Sequence, residues 1–298
     1  MNITKSETIS SRKSLIRVFA AFIIAMLVFT FISSDLRVDA ADTAAVKKLS
    51  APTIVPEARY DSAYTHPYNK QTNTIIVDWN NVKNAKKYEL YVKGGAYTSY
   101  TKYKTVTASK CTVTNLKRCT NYKFKVRAVN GSVKSSFSKV VTIKTARMDY
   151  DQRGWEAICK VVTHEVGGMD GDIWDKPIVY AADCITNAYT YAKYTNHPIF
   201  TPYLKRYNCI QDVLYKSGGY ISEAALTNRG VTYYKVPEKV KQAVYGALYC
   251  KAYYKGIKND FSIFWWCNTR TRVTSSKVSY CFQLPWGGYG CFWNQYWG

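Results

Sequence analysis

The stretch Tyr122-Lys123-Phe124-Lys125-Val126-Arg127-Ala128-Val129 alternates apolar with basic residues and decides the fold class of the first half of the chain. A period of two is typical of a β-strand that buries one face. Two earlier runs alternate in the same way, at residues 74–79 and 88–92, and the second is followed by Gly94-Gly95. Short strands separated by turn residues predict an all-β, immunoglobulin-like sandwich.

Four features of this region resemble a fibronectin type III domain. They are Ala51-Pro52 at its start, Trp79 on an early strand, Leu116, and Tyr122 six residues after Leu116. The resemblance covers residues 51–146 and implies that Trp79, Leu116 and Tyr122 are core and corner residues. It also implies a module that binds or spaces and performs no chemistry.

Beyond residue 148 the apolar period becomes that of a helix. The residues that recur at this spacing are Trp155, Ile158, Cys159 and Val162. Glu165 continues the same series, so its carboxyl group is expected on the apolar side of a helix that Gly167-Gly168 ends. A carboxyl group held against apolar neighbours has a raised pKa and can donate a proton near neutral pH. Cleavage of a glycosidic bond requires such an acid.

The segment Val161-Val162-Thr163-His164-Glu165-Val166-Gly167-Gly168 resembles the part of SleB/CwlJ-type cell-wall hydrolases that carries a Glu on an apolar helix. A helix containing Asn187 and an aromatic run at residues 263–268 follow in the order of that family. The resemblance spans residues 155–294 and implies a mainly helical α+β, lysozyme/transglycosylase-like domain at residues 150–298. It makes Glu165 the catalytic residue. The substrate-binding residues that it implies are Asn187, Tyr220, Trp265 and Trp266.

The chain departs from this family pattern at two places. Gly219-Tyr220 stands where the family commonly has Gln-Phe, and Gly290-Cys291-Phe292 stands where it has a His. The leading hypothesis is cleavage of peptidoglycan glycan strands, in cell wall or spore cortex, by a lytic transglycosylase with a single catalytic Glu. The alternatives are a non-catalytic wall-binding or adhesive protein on the same scaffold, and an N-acetylmuramoyl-L-alanine amidase.

Other chemistries have weaker support in the sequence. His164-Glu165 lacks the second His of the H-E-x-x-H zinc motif, because Gly168 occupies that position, so neither metal nor cofactor is expected. A Cys159–His197 nucleophile pair has no surrounding signature. Asp183 and Glu223 are candidates for the second carboxylate that a glycoside hydrolase needs.

The N-terminus has the layout of a secretory signal. Basic residues precede an uncharged run at residues 18–32, and Val38-Asp39-Ala40 offers small residues around a cut after Ala40. The run is shorter than the roughly 20 residues of a membrane-spanning helix. The predicted organisation is a signal peptide at residues 1–40 and a linker at 41–50, followed by the two domains. The alternative is an uncleaved N-terminal anchor. We expect a secreted protein, extracellular or associated with the wall.

Charge and cysteine content add to these expectations. The net charge of +22 predicts attraction to polyanions, which for an exported protein are wall polymers, anionic lipid surfaces or nucleic acid, and charge alone does not choose among them. No nucleic-acid-binding motif is present, so nucleic acid is not expected, and anionic wall polymers are candidate partners beside the glycan strands. Nine cysteines leave at least one unpaired. Cys111 and Cys119 fall in the first module and could pair, whereas the other seven fall in the second. Connectivity is not readable from their spacing.

Overall fold

The computed structural model describes residues 48–57, 60, 65–167, 171–196, 201–202, 207–216, 219–253 and 255–294. The predicted signal peptide and most of the predicted linker lie outside these residues. No helix within the described ranges is long and apolar enough to cross a bilayer. The described residues from Lys48 onward form one compact unit.

Two antiparallel sheets form the first module, as the alternating pattern predicts. The smaller sheet pairs β1 (Ile75–Asp78) with β4 (Lys110–Val113). The larger sheet has the strand order β3 (Tyr97–Val106), β2 (Lys87–Gly94), β5 (Asn121–Asn130) and β6 (Val133–Lys134). A further strand, β7 (Val141–Lys144), also pairs with β5.

The core between the sheets consists of the residues that the period of two turns inward. Trp79, Leu116 and Tyr122 are all buried there, as predicted. The hydroxyl of Tyr122 accepts a hydrogen bond of 2.7 Å from the backbone N–H of Lys117. This bond ties the start of β5 to the preceding loop, which is the corner role expected of Tyr122.

Five α-helices of the second module have bounds within the described residues, in agreement with the predicted period. They are α1 (Gln152–Val162), α2 (Asp175–Tyr194), α3 (Ile210–Tyr215), α4 (Glu223–Asn228) and α5 (Glu238–Tyr249). The side chain of Asp151 caps α1 by accepting a 2.7 Å hydrogen bond from the backbone N–H of Gly154. The four apolar residues that predicted α1 are fully buried, so this helix is held mainly by its apolar face.

A three-stranded antiparallel sheet ends the chain, in the order β8 (Trp265–Thr269), β10 (Tyr289–Trp293), β9 (Val278–Gln283). Because side chains alternate across a sheet, one face presents the aromatic rings of Trp266, Tyr280, Phe282 and Phe292, and the other presents Cys267, Cys281 and Cys291 beside Trp265 and Trp293. Cys281 and Cys291 lie directly opposite each other on β9 and β10 and form a disulfide. Together with the helices, this sheet gives the second module an α+β composition.

The two modules share a buried ionic cluster. Glu57, which precedes the first strand, accepts a 2.7 Å hydrogen bond from His66. From the second module, Lys251 lies 2.6 Å from the other carboxylate oxygen, and the Tyr245 hydroxyl also donates to Glu57. Burial alone would raise the pKa of Glu57, but the bonds from His66 and the charge of Lys251 lower it to about 2. The Glu57 carboxylate therefore joins the modules, because its hydrogen-bond partners come from both of them.

Replacing Glu57 with Gln is expected to reduce the free energy of unfolding at pH 7 by roughly 3 kcal/mol, because it removes the carboxylate whose lowered pKa reports its bonds to His66 and Lys251. A carboxyl group with a lowered folded pKa stabilises the fold above its ordinary pKa of 4.5 and loses that contribution as the pH falls to about 2. Denaturant unfolding between pH 2 and 7 should show the gap to wild type closing over that range. Glu238→Gln, at an exposed position of α5, is the control; a constant gap would contradict the prediction.

Candidate functional site

Glu165 lies in a single π-helical turn, Thr163–Gly167, that continues α1. The α-helix itself ends at Val162, three residues earlier than the apolar series predicts. The hydroxyl of Thr163 donates 2.8 Å to the carbonyl oxygen of Cys159, four residues back. Isolated π turns at the end of a helix occur often at functional sites because they rotate a side chain out of the helical register. Gly168 lies outside the described residues.

Burial and two neighbouring groups determine the acidity of Glu165. Burial raises its pKa, while a hydrogen bond from the indole N–H of Trp266 and the positive charge of Arg229 lower it, and the net pKa is raised. The carboxyl group is only partly exposed. Glu165 therefore retains its proton to a higher pH than a solvated glutamate, which is the property that the apolar series predicts.

Arg229 and His164 complete the polar surroundings of Glu165. A nitrogen of the Arg229 guanidinium lies 3.3 Å from Nε2 of His164. Burial and this neighbouring cation lower the pKa of His164, which keeps its imidazole neutral at neutral pH. Sequence reasoning missed Arg229, because it follows α4, far along the chain from Glu165, and no spacing rule connects the two positions.

Trp266 is held by the aromatic face of the C-terminal sheet. Its ring stacks on Phe292 at 5.8 Å, and Tyr180 of α2 meets Phe292 edge-on at 5.5 Å. Phe282 covers the backbone of Gly290, where an added Cβ would lie 2.5 Å from the Phe282 ring. Stacked and edge-on rings of this kind fix one another's orientation. The indole N–H that reaches Glu165 is therefore carried on a rigid support.

Asn187, expected from the family resemblance to bind substrate, lies in the protein interior with no exposed surface. Its oxygen accepts a 2.7 Å hydrogen bond from Arg147. Its nitrogen donates to the carbonyl oxygens of Ile263, at 2.6 Å, and Asp260, at 3.1 Å. The amide thus binds the protein's own backbone, in contrast to the substrate contact that the resemblance implies.

The structure places the other two predicted substrate residues on separate elements. Trp265 is adjacent to Trp266 on β8 and so faces the opposite side of the sheet. Tyr220 lies on the surface between α3 and α4 with 38% of its area exposed. Of the predicted site residues, the structure brings Glu165 and Trp266 into direct contact.

Both candidate second carboxylates have protein partners. Asp183 is fully buried and accepts hydrogen bonds from the side chain of Asn259, at 2.9 Å, and from the backbone of Asp260, at 2.8 Å. Burial raises the pKa of Asp183 to about 7, although these hydrogen bonds lower it. Glu223 pairs with Lys160 at 2.8 Å on the surface. Within the described ranges no group of three or more His, Cys, Asp or Glu side chains could hold a metal ion.

Comparison with known families identifies the first module. The fibronectin type III domain model matches residues 65–144. The comparison with curated proteins found no match to this chain. The helical region and its C-terminal sheet thus carry no family assignment from these comparisons.

Solved structures that match part of the chain include fibronectin type III domains. The domain of human fibronectin type III domain containing protein 3 is 22% identical and covers 37% of this chain and 94% of its own, with a TM-score of 0.27. A domain called FN3tt is 30% identical over 25% of this chain and 79% of its own, with a TM-score of 0.22. The assignment rests on the family model and the strand arrangement: residues 65–144 are a fibronectin type III domain.

Substituting Phe for Trp266 should raise the pKa of Glu165 further, because it removes a hydrogen bond to the ionised carboxylate and keeps an aromatic ring. The pKa can be followed by carbon NMR of protein labelled at glutamate carboxyl groups, with Glu165 assigned by its loss in Glu165→Gln. Trp286→Phe, at a position that is 65% exposed, is the matched control. An unchanged titration in Trp266→Phe would show that the indole does not bind Glu165 in solution.

Proposed function

We propose that the protein cleaves peptidoglycan glycan strands as a lytic transglycosylase, with Glu165 as its catalytic acid and base. The observation that carries the proposal is the raised pKa of Glu165 beside the indole of Trp266 and the guanidinium of Arg229. A protonated carboxyl group at such a position can protonate the oxygen of a glycosidic bond. The resemblance to SleB/CwlJ-type hydrolases at residues 161–168 supports the same role.

In this mechanism the proton of Glu165 passes to the glycosidic oxygen as the bond to the muramyl anomeric carbon breaks. Glu165, now ionised, removes the proton from the C6 hydroxyl of the same sugar, whose oxygen attacks the anomeric carbon. The product is a 1,6-anhydro ring, and Glu165 regains its proton without a water molecule. The positive charge of Arg229 lowers the pKa of Glu165, which stabilises the ionised carboxylate between the two steps.

Two observations favour this mechanism over hydrolysis with two carboxylates. Hydrolysis needs a second carboxyl group roughly 5 to 9.5 Å from the first. The two candidates from the sequence are otherwise engaged, Asp183 by its buried hydrogen bonds and Glu223 by Lys160. A single carboxyl group that acts as acid and then as base requires neither of them.

Replacing Glu165 with Gln should reduce the rate of muropeptide release from purified peptidoglycan by roughly 100-fold or more, since the amide has no transferable proton. Stability should not fall. A carboxyl group with a raised folded pKa opposes folding as the pH rises through that pKa, so the variant should melt at or above the wild-type temperature at pH 7.

The control for this experiment is Glu223→Gln, which changes a surface carboxylate paired with Lys160. Its release rate should stay within a factor of two of wild type, as a rough expectation for a surface substitution. A stable Glu165→Gln protein with full activity would exclude Glu165 as the catalytic residue. A variant that melts at a lower temperature and keeps its activity per folded molecule would make Glu165 a structural residue.

A second candidate function belongs to the fibronectin type III domain: binding of an anionic wall polymer. Residues 65–144 contain 16 Lys or Arg and only 2 Asp or Glu, so this domain carries most of the net charge of +22. Such a concentration of one sign attracts polyanions and raises their local concentration.

The outer face of the larger sheet concentrates this charge. We call it the basic face, and it consists of Lys93, Lys102, Lys123, Lys125, Arg127 and Lys134 on β2, β3, β5 and β6. Glu89 is the acidic residue among them and pairs with Arg127 at 2.6 Å. Aromatic rings lie beside two of these cations: Nζ of Lys125 is 4.2 Å from the ring centroids of both Tyr100 and Phe137, and the guanidinium of Arg127 is 4.9 Å from that of Phe137. These rings hold the two central charges over the sheet, where the repeated phosphates of a wall polymer can meet several cations at once.

Reversing two of these charges, Lys93→Glu with Lys123→Glu, should weaken binding to soluble polyphosphate at least tenfold at low ionic strength, with the difference shrinking in 0.5 M salt as screening increases. Isothermal titration calorimetry measures both effects. Lys235→Glu with Lys258→Glu makes the same change of net charge at exposed positions of the second module. Equal losses in the two double variants would show that net charge and not the basic face governs binding.

A further inference from the structure

Cys119 and Cys250 bring sulfur atoms from the two modules together. Cys119 lies in the loop before β5, and Cys250 is the residue that ends α5. Their Sγ atoms are 2.6 Å apart. This separation is closer to the bond length of a disulfide, about 2.05 Å, than to the spacing of two unbonded sulfur atoms.

The backbone on each side holds these sulfurs in place. The N–H of Cys119 donates 3.2 Å to the carbonyl oxygen of Ala146, at the end of the fibronectin type III domain. The carbonyl oxygen of Cys250 accepts a 3.2 Å hydrogen bond from Lys144 of β7, and the N–H of Arg147 donates 2.7 Å to the carbonyl oxygen of Leu248 in α5. The two cysteines thus face each other across the boundary between the modules. We call this boundary the seam, and the hydrogen bonds of Lys144 and Arg147 to α5 and Cys250 hold its two sides together.

The surroundings also favour the reactive form of Cys119. The hydrogen bond from Cys250 and the positive charges of Lys144, Arg147 and Arg118 lower the pKa of Cys119 to about 6, although burial opposes this. A thiol with such a pKa is largely thiolate at neutral pH, and the thiolate is the nucleophile in disulfide exchange.

We propose that Cys119 and Cys250 form a disulfide that covalently links the fibronectin type III domain to the helical module. The oxidant is a small-molecule disulfide such as oxidised glutathione, or the disulfide of an oxidoreductase. The Cys119 thiolate attacks one sulfur of that disulfide and releases one thiol. Cys250, its proton passing to solvent, then displaces the second thiol. The oxidant gains the two electrons that the two cysteines lose, and two protons balance the released thiols.

The proposed Cys119–Cys250 disulfide differs from the Cys111–Cys119 pairing that the sequence leaves open within the first module. Cys111 is buried on β4 in the core of the sandwich, and its Sγ contacts the carbonyl oxygen of Thr112 at 3.8 Å. Cys119 turns toward α5 instead. The inference does not rest on the proposed enzymatic function, since it concerns the joint between the modules and leaves Glu165 untouched.

The position of Met148 allows a direct test on the full chain. The protein is folded, treated with oxidised glutathione, unfolded, and cleaved with cyanogen bromide, which cuts after methionine. Cleavage after Met148 and Met169 separates the peptide containing Cys119 from residues 170–298, which contain Cys250. The proposal expects the two fragments to run as one band without reductant and as two bands with it. Two bands without reductant would overturn it.

Residue-level assignment follows from a tryptic digest of the same oxidised protein. The proposal expects one linked species that joins residues 119–123 to residues 242–251, each with a single cysteine. Cys119→Ser should abolish the joined band, and Cys111→Ser, the matched control, should retain it. A joined band that persists in Cys119→Ser would overturn the assignment. In oxidised protein Cys119→Ser should also lower the melting temperature by roughly 5 to 10 °C, and excess reductant should remove that difference.

Discussion

The side-chain amide of Asn187 is the interaction on which the rest of the second module depends. Arg147, the third residue after β7, donates to its oxygen, and its nitrogen holds the carbonyl oxygens of Asp260 and Ile263. Buried hydrogen bonds of this kind are costly to break, because no water replaces the lost partner. The end of the fibronectin type III domain, the middle of α2 and the approach to β8 are therefore fixed at one point. Trp266 follows only three residues after Ile263, so the same point sets where the indole meets Glu165.

Local patterns predicted the parts of the molecule that depend on local periodicity. The alternation at residues 122–129 predicted β5 and the sandwich, and helical spacing predicted α1 together with the partly buried carboxyl group of Glu165. The π turn was not predicted, because the apolar period is the same on both sides of Val162. The change from α-helical to π-helical backbone at Thr163–Gly167 is visible only in the structure.

Long-range contacts account for what the sequence did not show. Nothing near Asn187 distinguishes an amide that binds substrate from one that binds a distant loop. Arg229 lies near Glu165, and Cys250 lies near Cys119, although each pair is far apart in the sequence. The aromatic residues of β9 and β10 likewise do not indicate, from sequence alone, which helix they pack against. Trp265 and Trp266 are adjacent in sequence and therefore point to opposite faces of β8.

The proposed functions divide the work between two modules that the structure joins firmly. On this proposal the basic face holds an anionic wall polymer, while Glu165 acts on the neighbouring glycan strand. The buried cluster around Glu57 and the seam beside Cys250 fix the distance between the two surfaces. A rigid joint favours simultaneous binding of the polymer and the glycan strand. Once the basic face has bound the polymer, binding of the glycan strand near Glu165 needs little further ordering of the chain.

Mass spectrometry of the fragments released from purified peptidoglycan tests the central claim most directly. A single carboxyl group acting as acid and then as base predicts soluble muropeptides that end in 1,6-anhydromuramic acid. Fragments with reducing ends would contradict the transglycosylase mechanism and require a second carboxylate. Freed stem peptides would make the protein an amidase, and wall material that binds the protein without releasing any fragment would make it a binding protein.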